Sequence, residues 1–111
     1  MNELNLWLGF GNILCGVIFA ALALPLWRGK VKPNDIYGIR FSAARKSEEA
    51  WYRWNRVGGR YMFIWSIVIA LVGIVCLWWP PLEGLWIWFF GLAPALVGIG
   101  CIQTFVAGRR G

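Results

Sequence analysis

Three stretches of this chain run long enough without a charged residue to cross a lipid bilayer, and that restricts the fold more than any other feature. Residues 4–27 form 24 consecutive positions free of Asp, Glu, Lys and Arg. As a helix rising about 1.5 Å per residue they would reach roughly 36 Å, enough for the hydrocarbon core with some tilt. Residues 61–79 and 85–107 are two further runs, each near the length of about 20 residues that a span needs. A cleaved secretory signal is the competing reading of the first run. Glu3 ahead of it, the lack of Lys or Arg there and its length all argue against that reading.

Composition agrees with membrane residence. The 111 residues are 59% hydrophobic and 14% charged, well below the roughly one quarter charged of soluble domains. That balance also argues against disorder, which needs low hydrophobicity and high charge. Pro80 and Pro81 close the second run, and Pro80-Pro81-Leu82-Glu83-Gly84 is short enough to join runs two and three as a helical hairpin.

Orientation follows from the basic residues. Nine of the eleven lie within residues 28–60, and Arg109 and Arg110 follow the third run. The positive-inside rule then puts 28–60 and the C-terminus in the cytoplasm, with the N-terminus and the 80–84 turn outside. Trp7, Trp78, Trp79, Trp86 and Trp88 would form an outer aromatic belt, and Trp27, Tyr61 and Trp65 an inner one. The expected location is a bacterial cytoplasmic (inner) membrane.

Small residues indicate how helices approach each other. Gly91, Ala95 and Gly98 in run three, and Gly9, Asn12, Gly16 and Ala20 in run one, lie on helical stripes. Such stripes serve close packing within a protomer or between copies, so a homo-oligomer is one expectation. Ordinary interhelical hydrogen bonding accounts for Asn12, Gln103 and Thr104.

Several chemistries are poorly supplied. Histidine is absent, which removes the commonest general base and metal ligand. Cys15, Cys76 and Cys101 stand singly in apolar runs and read as small packing residues, with no metal and no cofactor implied. No Asp, Glu, Lys, Arg or His lies inside a span, which disfavours a coupled pump, although a small oligomeric transporter or flippase-like protein remains the alternative class. An enzyme would need Asp35, Glu48 or Glu49 as its base, and the last two suit a helix start better. A pI near 9.8 raises nucleic acid, but the positive charge is juxtamembrane, where lipid phosphates are the nearer partner. Arg28, Lys30, Lys32, Arg109 and Arg110 need no reason beyond topology and anionic lipid of the inner leaflet.

The cytoplasmic segment is more patterned than a polybasic run. Ser47 before Glu48 and Glu49 reads as an N-cap with two acids in the first turn. On the helix that follows, Trp51, Trp54, Asn55, Gly58 and Met62 share one sector, while Glu49, Arg53, Arg56 and Arg60 share the other. An amphipathic helix lying on the inner interface, bending at Gly58-Gly59 into the second span, is the expectation. Asn55 on the apolar sector requires partners, and the upstream loop is their natural source. That loop reads Lys32-Pro33-Asn34-Asp35-Ile36-Tyr37-Gly38-Ile39-Arg40, a turn sequence with a tight backbone position beside an aromatic.

The combination Asn34-x-x-Tyr37-Gly38-x-Arg40, Ser47-Glu48-Glu49-x-Trp51-Tyr52 and Asn55-Arg56-x-Gly58-Gly59-Arg60 resembles the signature of the SdpI family of small bacterial membrane proteins. The resemblance covers about 27 residues, and after the arginine Phe41-Ser42-Ala43-Ala44 replaces the family's usual threonine-bearing stretch. It implies an all-α integral membrane unit of three transmembrane helices, with a cytoplasmic interfacial amphipathic helix between the first and second. It further implies that Asn34, Tyr37, Gly38, Arg40, Trp51, Asn55, Gly59 and Arg60 are the motif residues. The family includes an immunity protein against a secreted killing peptide, so recognition of a peptide toxin, a lipid or a partner membrane protein is the expected role. Asn34, Tyr37, Arg40, Asn55 and Arg60 would then form a polar pocket roofed by Trp51 and Trp54, with an arginine holding a carboxylate or phosphate. The same residues would also serve as a purely structural clasp of loop to helix.

Overall fold

The computed structural model describes residues 3–110, and the side chains of residues 3–107. Arg109 and Arg110, on which part of the expected orientation rests, therefore lie outside the described side chains. All regular structure among the described residues is helical: α1 (Glu3–Trp27), α2 (Glu48–Leu77), α3 (Leu85–Gly91) and α4 (Val97–Arg110), with short 3₁₀ turns at Ala44–Lys46 and Ala93–Leu96. Both α1 and α2 are long and apolar enough to cross a membrane, and α3 with the following segment to Ala107 passes the same test as a pair bent by 53°. The helices bundle lengthwise in an envelope of 50 × 22 × 19 Å.

Helix α1 packs antiparallel on α2 from Gly59 to Leu77. Gly9 faces Gly73 and Leu77, Gly16 faces Ser66 and Ala70, and Gly59 faces Ala23 and Trp27. A Cβ on Gly16 would stand 2.6 Å from the Ser66 carbonyl oxygen, and one on Gly73 would stand 2.5 Å from that of Gly9. Lipid tails are as apolar as the side chains, so close backbone contact, not water exclusion, holds such a pair together. The buried residues of α1 (Asn5, Gly9, Asn12, Gly16, Ala23 and Leu26) accordingly follow one helical stripe.

The chain after the turn runs back along α2. Phe90 of α3 packs on Trp79 with ring centroids 5.6 Å apart, whereas Trp65 Nε1 donates to Gln103 Oε1 of α4 at 2.8 Å. Further on, Thr104 reaches Gly58 and Phe105 reaches Trp54. The open side of Gly91 and Gly98, where a Cβ would meet nothing within 4 Å, leaves most of the expected small-residue stripe unused within the protomer. Gly100 supplies the close contact instead, near Trp65 and Tyr61.

Two sequence expectations change. No break occurs at Gly58-Gly59: α2 is one helix of 30 residues. At about 1.5 Å per residue it measures roughly 45 Å, so its charged first turns extend beyond an apolar stretch that is itself long enough to cross. The two sectors separate as the wheel requires, with Trp51, Trp54, Asn55 and Gly58 buried and Glu49, Arg53, Arg56 and Arg60 exposed. The buried sector, however, packs on protein: the loop after α1, and α4. The glycine pair is a contact surface, since a Cβ on Gly59 would lie 2.4 Å from the Trp27 backbone nitrogen. The third run, conversely, is interrupted around Pro94, which has no N–H to continue the helix.

The hairpin turn is held by a residue that the sequence did not single out. Asn5, 1% exposed, donates through Nδ2 to the carbonyls of Cys76, Trp79 and Pro80 at 3.1, 2.8 and 3.2 Å. Its Oδ1 accepts the Leu82 N–H at 3.1 Å. Carbonyls at a helix C-terminus have no intrahelical donor, and one amide from α1 serves those of α2 and its turn.

Candidate functional site

The loop between α1 and α2 is ordered by its own turn chemistry. Asn34 Oδ1 accepts the N–H groups of Ile36 and Tyr37 at 2.9 and 2.7 Å, and its Nδ2 donates to the Lys32 carbonyl at 2.7 Å. This is how an asparagine side chain mimics a backbone turn. Tyr37 then donates its hydroxyl to the Leu22 carbonyl on α1, and its partial burial raises the phenol pKa above the ordinary 10.0. Gly38 follows with φ +118°, a conformation that L side chains rarely adopt. A Cβ there would also stand 2.8 Å from Asn55 Oδ1.

Asn55 receives the loop. Its Oδ1 accepts the Ile39 N–H at 2.6 Å, and its Nδ2 donates to the Ile39 and Trp51 carbonyls at 3.2 and 2.9 Å. Each heavy polar atom of the amide is used, as a side chain only 1% exposed requires. Trp51 adds a second tie, Nε1 to the Val31 carbonyl at 3.0 Å. Below them Trp54 packs with Ile39 and Ala44, and edge-on against Phe41. Its Nε1 is buried and finds no partner among the described residues.

Ser47 caps α2 as its sequence suggests, accepting the Ala50 N–H at 3.0 Å. Between the cap and the loop lies an open cleft of about 590 Å³, whose walls include Lys32, Asn34, Asp35, Arg45, Glu48 and Trp51. Arg45 crosses it to meet Asp35 at 2.9 Å. With Asp35 88% exposed, such a pair contributes well under about 1 kcal/mol and leaves both groups available to a ligand.

The eight motif residues thus divide. Asn34 and Trp51 line the cleft; Tyr37, Gly38 and Asn55 bind the loop to α1 and α2. Arg40 is exposed and donates to the Asp35 carbonyl. Gly59 sits against α1, and Arg60 lies on the exposed face of α2. The expected single pocket with Arg60 inside and Trp54 as its roof does not form, because Arg60 falls on the opposite sector from Asn55. Sequence reasoning missed Arg45 and Lys32 as cleft residues; the turn at Pro33-Asn34 that folds them toward Ser47 was the available signal.

These features define a helical membrane protein whose polar loop is clasped onto the end of a spanning helix. The family model described as the SdpI/YfhL protein family matches residues 30–106, and the chain belongs to that family. The match begins at the clasped loop and runs into α4. No curated protein and no solved structure matches the chain.

Proposed function

We propose that this chain is an immunity- or sensing-type protein of the bacterial cytoplasmic membrane, acting by recognition at the cleft between its cytoplasmic loop and the start of α2. The reading takes three crossings, with the N-terminus outside and residues 28–60 and the C-terminus in the cytoplasm. Three crossings are supported by the course of α3 and α4, which accompany α2 from Trp79 to Gly58. Orientation rests on the concentration of basic residues in 28–60.

The observation that carries the recognition role is the preorganised loop. Asn34, Gly38, Trp51 and Asn55 fix a backbone that presents Lys32, Arg45 and Glu48 around a cleft, with Arg40 exposed beside it on the Asp35 carbonyl. A backbone already fixed before binding lowers the entropy cost of gripping a partner. The partner is a peptide toxin, an anionic lipid of the inner leaflet or another membrane protein; the shared chemistry is an anionic group held by arginine. No catalytic step is assigned. Copies associating through the open glycine face of α3 and α4 complete the proposal.

Native mass spectrometry of the protein released from lipid nanodiscs, beside Arg40→Ala and Arg45→Ala, tests it. A discrete adduct on the wild type that is lost in the variants supports the cleft as a ligand site and gives the ligand's mass. In parallel, cells carrying the chain should survive a secreted killing peptide better than cells carrying either variant at equal membrane abundance. Identical adducts and identical survival for all three proteins would leave the loop as a structural clasp only.

A further inference from the structure

The break in the third segment has a partner in α1. In an uninterrupted helix the Phe90 carbonyl accepts the N–H of the residue four positions on, and that residue is Pro94, which has none. Asn12 Nδ2 donates to this carbonyl at 2.8 Å, and also to the Leu8 carbonyl of its own helix at 2.8 Å. Asn12 is 2% exposed and Phe90 1%, so no water competes for the bond from outside. The last α-helical bond of α3 runs from the Leu92 N–H to the Trp88 carbonyl, and beyond it the chain tightens to a 3₁₀ bond from the Ala95 N–H to Leu92, each at 2.9 Å. We propose that Asn12 is the releasable pin of a hinge in the third segment, its amide replacing the N–H that Pro94 lacks and so setting the 53° angle between α3 and the chain that follows.

The pin is poised for release. Two carbonyl acceptors fix the amide with Nδ2 toward them, which leaves Asn12 Oδ1 buried without a donor among the described residues. An unsatisfied amide oxygen in an apolar interior is costly, so the pinned state gains one bond and carries one penalty. Rotation of Asn12 away from Phe90 would free Oδ1 to seek a donor, at the expense of the bond to the Phe90 carbonyl. The element that moves is α3. It forms one wall of an apolar groove of about 340 Å³, with Trp86 and Phe89 facing Val72 and Val75 of α2. The state of the pin therefore sets the width of that groove, a second variable face separate from the cytoplasmic cleft.

A double-mutant cycle in the full chain, reconstituted in nanodiscs, tests the pin. Asn12→Ala should raise hydrogen exchange at the amides of 91–93 by about tenfold, the factor that one lost hydrogen bond implies, and should lower the thermal midpoint. In the Pro94→Ala background residue 94 regains its N–H, so adding Asn12→Ala should then change exchange less than about twofold on the same scale. Should Asn12→Ala alone fail to fold, recovery of folding in the double variant supports the pin, and failure of both overturns it. Equal effects of Asn12→Ala in the two backgrounds, or no effect in either, also overturn it.

Discussion

The side-chain amide of Asn55 pairs with both backbone polar groups of Ile39, accepting its N–H at 2.6 Å and donating to its carbonyl at 3.2 Å. One residue on α2 thereby does for the loop what a neighbouring strand would do, at the point where Gly38 turns the chain. Asn55→Leu keeps the volume and removes all three bonds, leaving buried backbone groups unpaired. The expected cost is about 2–5 kcal/mol, read as a lowered thermal midpoint in mild detergent. Trypsin should also cut faster at Arg40 and Arg45, which stand on the released loop. Unchanged melting and unchanged cutting would mean that the loop is held elsewhere.

Two glycines on the helix surfaces should respond oppositely to the same change. Gly59→Ala puts a methyl 2.4 Å from the Trp27 nitrogen and 2.8 Å from the Ala23 carbonyl, where only backbone can yield. Separation of α1 from α2 should cost about 2 kcal/mol or more. Gly98→Ala meets nothing within 4 Å and should be neutral, or stabilising by up to about 1 kcal/mol through helix propensity. Thermal unfolding of the two variants beside the wild type reads both. If Gly98→Ala instead lowers the oligomeric mass in native gels, the open glycine face is a contact between copies.

Tyr37 gives the clasp between the loop and α1 an alkaline limit. Its pKa is raised by burial above 10.0, so the native state holds the phenol proton more tightly than the unfolded chain does. The resulting stability is fully present below pH 10.0 and is lost as pH rises through the higher native value. The neutral hydroxyl is also the form that donates to the Leu22 carbonyl. Melting midpoints should therefore be insensitive to this group at neutral pH and fall above 10.0, and Tyr37→Phe should remove that part of the decline. Parallel curves for wild type and Tyr37→Phe across the alkaline range would refute the assignment.

Much of the architecture was legible as pattern. The run over residues 4–27 became α1, and Ser47-Glu48-Glu49 starts α2 with the capping bond its residues predict. Trp51, Trp54, Asn55 and Gly58 were read as one sector and are buried as one. Asn55 was seen to need partners in the upstream loop, and its partner is Ile39. Where the reading went astray, local chemistry had two outcomes. Gly58-Gly59 serves a bend and a close contact equally well, and only the approach of Trp27 selects the contact. Pro94 was passed over because hydropathy does not register a missing N–H.

Asn5 and Asn12 illustrate what no periodicity carries. Each is one polar residue in an apolar helix; the sequence marks Asn12 for an interhelical hydrogen bond without naming its partner, and does not mark Asn5. In the fold Asn5 serves the end of α2 and its turn, and Asn12 serves the carbonyl that Pro94 strands, at separations of 71 to 78 residues. The sequence by itself determined membrane residence, helical class, the basic segment and the family, because these follow from composition and from spacing along one helix or turn. The tertiary structure alone decided that α2 stays whole and that the third segment breaks. Those outcomes depend on which backbone carbonyls and N–H groups find donors and acceptors across the bundle, and such partners are fixed only when distant helices meet.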